Sequence, residues 1–100
     1  MTIELRPALD LAKHITEPED QAELIADAFA SGDRGYVAHA LGIVARAQGG
    51  VAQLADRIGM KRQALDRALS KDGNPTLETL LKVLSGLGMQ AAVTIGKRAA

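Results

Sequence analysis

The sequence predicts an all-α domain of five helices, with a sharp turn joining two of them and a short strand at the C-terminal end. Three observations predict it. Apolar residues recur at 3- and 4-residue spacing over five stretches between residues 16 and 88, the period of a helix with one buried face. Most of these stretches are bracketed by the Gly, Pro, Asp or Thr that start and stop helices. The 47% apolar content is rich in Ala and Leu, with one Phe, one Tyr and no Trp, which suits close-packed helices rather than a sheet filled with aromatic rings. One hundred residues suit one domain with one core. It divides into an N-terminal extension over 1–15, a helical unit over 16–88 and a strand over 89–96.

The extension is the least regular part. Its residues suggest a short strand and then a helical turn, with Pro7 breaking what precedes it. Thr16 opens the first clear helix. Thr16 and Glu19 have the spacing of a capping box, Pro18 lies in the first turn, and acids cluster at the positive end of the helix dipole. Ala22, Ile25, Ala28 and Phe29 make its expected buried face, and Ser31-Gly32 ends it. Asp33 is placed to cap the second helix, whose stripe is Val37, Ala40, Leu41, Val44 and Ala45. Gly42 in the middle of that helix costs about 1 kcal/mol relative to alanine, so a close helix crossing is expected there. Gly49-Gly50 ends the helix.

The stretch from Val51 to Ser70 organises the rest. Leu54, Ala55 and Ile58 fall on one face of a helix over 51–58, and Leu65, Ala68 and Leu69 on one face of a helix over 61–69. Gly59 sits where the backbone must leave the first of these and can take positive φ without steric cost. Met60 anchors the turn. Small Ala55, Gly59 four residues on and Leu65 six further make the signature of a helix-turn-helix. Opposite the apolar stripe of the second helix stand Lys61, Arg62, Gln63, Asp66 and Arg67. Arg and Gln carry the forked donors and acceptors that read guanine and adenine edges in the major groove.

A turn rich in residues tolerant of unusual backbone follows, Lys71-Asp72-Gly73-Asn74-Pro75. Thr76 caps the last helix, with a stripe of Leu77, Leu80, Leu81, Leu84 and Leu87 and an end marked by Gly86 and Gly88. Met89, Ala91, Val93 and Ile95 then alternate with period two, as one face of a strand. Such a strand needs a partner: the N-terminal segment, its copy in a dimer, or another protein.

The formal net charge is zero, but the charges are segregated. Residues 1–33 hold eight acids against two bases, and residues 34–71 hold seven bases against two acids. The basic excess (Arg34, Arg46, Arg57, Lys61, Arg62, Arg67, Lys71) coincides with the helix-turn-helix, as an electrostatic footprint for nucleic acid should. The acidic segment suits a basic protein partner or solvent. There is no cysteine, so no disulfide or Cys-based zinc site, and His14 and His39 lack ligand-spaced companions. No metal, cofactor or enzymatic arrangement is therefore expected. With no apolar run of membrane-spanning length and no signal-peptide order at the N-terminus, a cytoplasmic protein is expected.

Helices in this order resemble the Cro/cI-type, lambda-repressor-like DNA-binding domain. A closer resemblance rests on Ala40-Leu41-Gly42, Ala45-Arg46-Ala47 and Gly49, and on the run Leu69-Ser70-Lys71-Asp72-Gly73-Asn74-Pro75-Thr76. These look like the ALG…ARA.G stretch and the LSxxGNPT turn of addiction-module antidote proteins. Glu17-Pro18-Glu19-Asp20, Gly32-Asp33 and Leu87-Gly88 keep the same order, so the likeness covers roughly residues 10–95. The resemblance implies an antitoxin that binds a small basic toxin of the RelE-like mRNA-cleaving class and represses their shared operon. Two positions depart from the family pattern: Lys61 stands where Ser or Thr is usual, and Asp66 where Tyr is common. The helix beginning near Lys61 is expected in the major groove of a palindromic operator, read by a homodimer. Arg62, Gln63 and Arg67 are the base-edge candidates, with Lys61 and Asp66 at their margins. Asp66, four residues after Arg62, either fixes that arginine in an intrahelical pair or accepts from cytosine. Gln53, Ser70, Lys71 and Asn74 are candidates for phosphate. The rival readings are a stand-alone or phage-type repressor without a toxin, and a protein–protein module of the same fold.

Overall fold

The computed structural model describes residues 8–96, and within them six helices: α1 (Ala8–His14), α2 (Pro18–Ser31), α3 (Arg34–Ala47), α4 (Val51–Ile58), α5 (Arg62–Ala68) and α6 (Leu77–Gly86). The five expected helices stand in their places. The sixth, α1, is the helical turn of the extension grown to 7 residues. The strand expected before Pro7 lies outside the described residues.

Helix α3 is the axis of the molecule, with α1, α2 and α4 packed on it and α5 and α6 packed on α4. Every residue from Ala40 to Ala45 is buried, as is Ala38. That exceeds a single stripe because α1 adds a second covering, with Ala12 buried beneath it. The main core joins Ile25, Leu41, Val44, Val51, Leu54, Leu65, Leu69, Val83, Leu84 and Leu87, with Met60 and Ile58 partly buried against it.

The caps explain where the helices start. Asp33 Oδ1 accepts from the backbone N–H of Gly35 (2.9 Å) and Tyr36 (3.3 Å), and Thr76 Oγ1 from that of Thr79 (3.1 Å), each satisfying N–H groups that lack helical partners. Helix α2 departs from expectation: its N-cap is Glu17, with no side-chain cap, so the Thr16–Glu19 capping box does not form. Pro18 is the first helical residue, and its fixed φ places the N-cap at Glu17, one residue past Thr16.

Three further expectations are corrected. Ala22 and Phe29 are exposed, because α2 meets α3 along Gln21, Leu24, Ile25 and Ala28. Leu77 and Leu81 are exposed too, because α6 packs chiefly on α4 and buries the strip of Leu80, Val83, Leu84 and Leu87. Residues 89–96 form no strand, and Val93 and Ile95 are fully exposed. The period-two pattern is present, but no edge is offered to it among the described residues.

A polar relay ties the bundle together at one end. Gln21 Nε2 donates to the carbonyl of Ile15 (3.0 Å), while Gln48 Nε2 donates both to Gln21 Oε1 (2.9 Å) and to the carbonyl of Leu87 (3.0 Å). Gln21 is the one buried polar side chain of the described residues, and this network satisfies it. Tyr36 donates from its hydroxyl to Asp27 Oδ2 at 2.6 Å, joining α3 to α2. That bond, with some desolvation and the carboxylate's charge, pushes the phenol up to about 12.

Candidate nucleic-acid interface

The site is built on α4, the turn at Gly59 and α5. Gly59 takes φ 72°, and the N–H of Met60 bonds back to the carbonyl of Ala55 at 3.0 Å, closing α4 with a left-handed cap. The chain then re-enters helix at Arg62 with Lys61 as N-cap. Leu65 and Leu69, both buried, fix α5 to the core. At the far end Gly42 lets α5 approach α3: a Cβ there would stand 3.0 Å from the carbonyl oxygen of Leu69. The close crossing expected at Gly42 is present.

With that face held down, the opposite one is fixed outward. Lys61, Arg62, Gln63, Asp66 and Arg67 are all exposed, as is Ala64 between them, which sequence reasoning passed over for want of a polar group. Arg62 Nε lies 3.6 Å from Asp66 Oδ2, the expected intrahelical pair. Both side chains are substantially exposed and the contact is longer than a hydrogen bond, so the pair adds little stability. Lys61 makes no side-chain cap, and the first turn of α5 carries no acid.

The phosphate candidates are placed differently from one another. Gln53 is exposed in the first turn of α4, whose N-cap is Gly50. Glycine offers no capping side chain, so the leading N–H groups of α4 remain open to an anion. Lys71 and Asn74 are exposed in the turn after α5. Ser70 is less ready, since its hydroxyl donates to the carbonyl of Arg67 at 2.8 Å. Two bases of the expected footprint are otherwise engaged. Arg34 donates to the carbonyl of Gly73 (2.8 Å) and so braces the turn behind α5. Arg57 donates to the carbonyls of Gly86 (2.7 Å) and Gln48 (3.3 Å), clamping α4 to α6. The sequence counts their charge but gives no sign of these carbonyl partners.

The turn itself explains the Gly73-Asn74-Pro75-Thr76 run. Gly73 is buried, and a Cβ on it would collide with the backbone carbonyls of Arg67 and Ala68. Thr76 then caps α6. This run and its setting fit one family, and the model of that family, described as "Probable addiction module antidote protein", matches residues 6–95. The chain belongs to the addiction-module antidote family. It is also 34% identical over 93 residues to an uncharacterized protein of Haemophilus influenzae, covering 93% of this chain and 94% of that one. No solved structure matches the chain. The family is not a known enzyme family, and no group of acids and histidines among the described residues could hold a metal ion. No helix among them is long and apolar enough to cross a membrane.

Proposed function

We propose that this antidote is a sequence-specific DNA-binding repressor of the Cro/cI type. In this reading it neutralises a RelE-like toxin in a cytoplasmic type II toxin–antitoxin module and represses the operon encoding both. The DNA half rests on one observation above the others. Arg62, Gln63 and Arg67 stand outward from a short helix pinned by Leu65 and Leu69, beside the uncapped N-terminus of α4.

Helix α5 enters the major groove. Arg62 and Arg67 read guanine, Gln63 reads adenine, and Ala64 can meet a thymine methyl. Asp66 pairs with Arg62, and Lys61 reaches phosphate at the helix margin. Gln53 and the open N–H groups of α4 grip the backbone on one side, and Lys71 and Asn74 on the other. Ser70 joins them once its hydroxyl leaves the Arg67 carbonyl. A homodimer on a palindrome gives the site its length, with half-sites about one helical turn apart.

The toxin half rests on family membership and on charge. The exposed acids Glu19, Asp20 and Glu23 of α2 lie on a helix outside the DNA-reading pair, open to a basic protein, while Asp27 beside them is engaged by the Tyr36 hydroxyl. The test is a pull-down of the tagged full chain from its native bacterium, treated with nuclease and read by mass spectrometry. A stoichiometric small basic protein from the adjacent gene is expected. Recovery of the chain alone would move the reading to a stand-alone repressor.

A further inference from the structure

We infer that two copies of this chain pair through α6, in antiparallel register about a two-fold axis near Leu81. This rests on the DNA-reading proposal only for its use, since that proposal calls for a dimer without supplying the contact. Leu77 is 70% exposed and Leu81 52% exposed, one turn apart on α6. The core claims Leu80, Val83, Leu84 and Leu87 from the same helix and leaves these two outside. Beside Leu81 runs a shallow groove of about 530 Å³, lined also by Arg57, Ile58, Lys82, Ser85 and Gly86. Arg57 is held in it by its bonds to the Gly86 and Gln48 carbonyls, so the groove is a fixed feature.

The face is complementary to itself. In an antiparallel pair centred on Leu81, residue 77 of one copy stands opposite residue 85 of the other, about 6 Å from the axis at 1.5 Å per residue. The projecting Leu77 lies four residues before the axis and the groove at Ser85-Gly86 four after it. Each copy therefore offers its leucine to the other's groove, as an isologous contact requires. The charges agree with this register. Glu78 and Lys82, 3.2 Å apart within one copy, meet Lys82 and Glu78 of the second copy about 3 Å along the axis, so opposite signs face each other at both ends. None of these residues belongs to α5 or to the first turn of α4, so pairing leaves the DNA-reading surface open.

Sedimentation equilibrium of the full chain tests this. The wild-type chain is expected to dimerise. Leu81→Glu should weaken self-association by about tenfold or more with an unchanged circular-dichroism spectrum. Glu78→Lys and Lys82→Glu should each be monomeric, through like-charge contacts, and an equimolar mixture of the two should recover the dimer. A monomeric wild type, a dimer indifferent to Leu81→Glu, or a mixture that stays monomeric would overturn the proposal. Fluorescence anisotropy with a labelled duplex from upstream of the chain's own gene separates the two claims. Mixing that recovers the dimer without DNA binding sinks the DNA reading alone, and DNA binding by a dimer indifferent to Leu81→Glu sinks the α6 interface alone.

Discussion

At the residue scale, Lys61 sets stability against the proposed contact with DNA. It occupies an N-cap position without a capping oxygen, so Lys61→Ser should stabilise the fold by about 0.5–2 kcal/mol. If Lys61 reaches phosphate as proposed, the same change should weaken DNA binding and lower its salt slope by about 1. Thermal melts and a salt titration read the two effects separately. Tyr36 offers a second check, being the sole tyrosine in a chain without tryptophan. Its phenol is raised to about 12, first by the hydrogen bond to Asp27. Since the folded value lies above the unfolded one of about 10, the contribution is fully present below pH 10 and fades as pH rises through 12. Ultraviolet titration of phenolate absorbance should therefore give a midpoint near 12, and Asp27→Ala should return it toward 10. A wild-type midpoint at 10 would contradict the Tyr36–Asp27 bond.

At the element scale, the contact of α4 with α6 backs the α4–α5 pair, and Gly86 makes it possible. A Cβ on Gly86 would stand 2.5 Å from Ile58 Cγ2 and 2.7 Å from Leu54 Cδ1. Gly86→Ala should accordingly cost about 1–3 kcal/mol in denaturant unfolding, despite alanine's better helix propensity. An unchanged or raised stability would show that α6 can shift freely. This glycine also shows what the sequence conceals. At the end of a leucine helix, Gly86 reads as a stop signal, and its packing role depends on a partner helix 28 residues away, about Ile58. Five leucines at helical spacing likewise read as one core stripe, yet α6 packs chiefly on α4 and buries only part of that arc. Helix α1 was legible only as a turn, because it is short and its apolar face makes sense only once α3 is seen to be buried on two sides.

At the scale of the whole molecule, the local geometry of α4 and α5 was more legible than the frame around it. The turn between α4 and α5 is local: its glycine, its small alanine and its apolar spacing lie within Ala55–Leu65, and the structure joins the two helices through them. The outward set on α5 follows once Leu65 and Leu69 are known to face inward. Long-range ties carried no such signature. Arg34 and Arg57 read as free positive charge until their carbonyl partners, 39 and 29 residues away, are in view. The molecule thus divides its charge by position, with bracing arginines behind the α4–α5 turn, outward arginines on α5 and acids on α2.

The central claim is that α5 reads operator DNA. The most direct measurement is a gel-shift series on a duplex from upstream of the chain's own gene, comparing the wild type with Arg62→Ala and Arg67→Ala over a range of salt. Wild-type binding should fall steeply with salt. Each substitution should weaken specific binding by about 1–3 kcal/mol while leaving the weaker binding to unrelated duplex nearly unchanged. Wild-type binding that both variants match, or no binding at low salt, would contradict the claim.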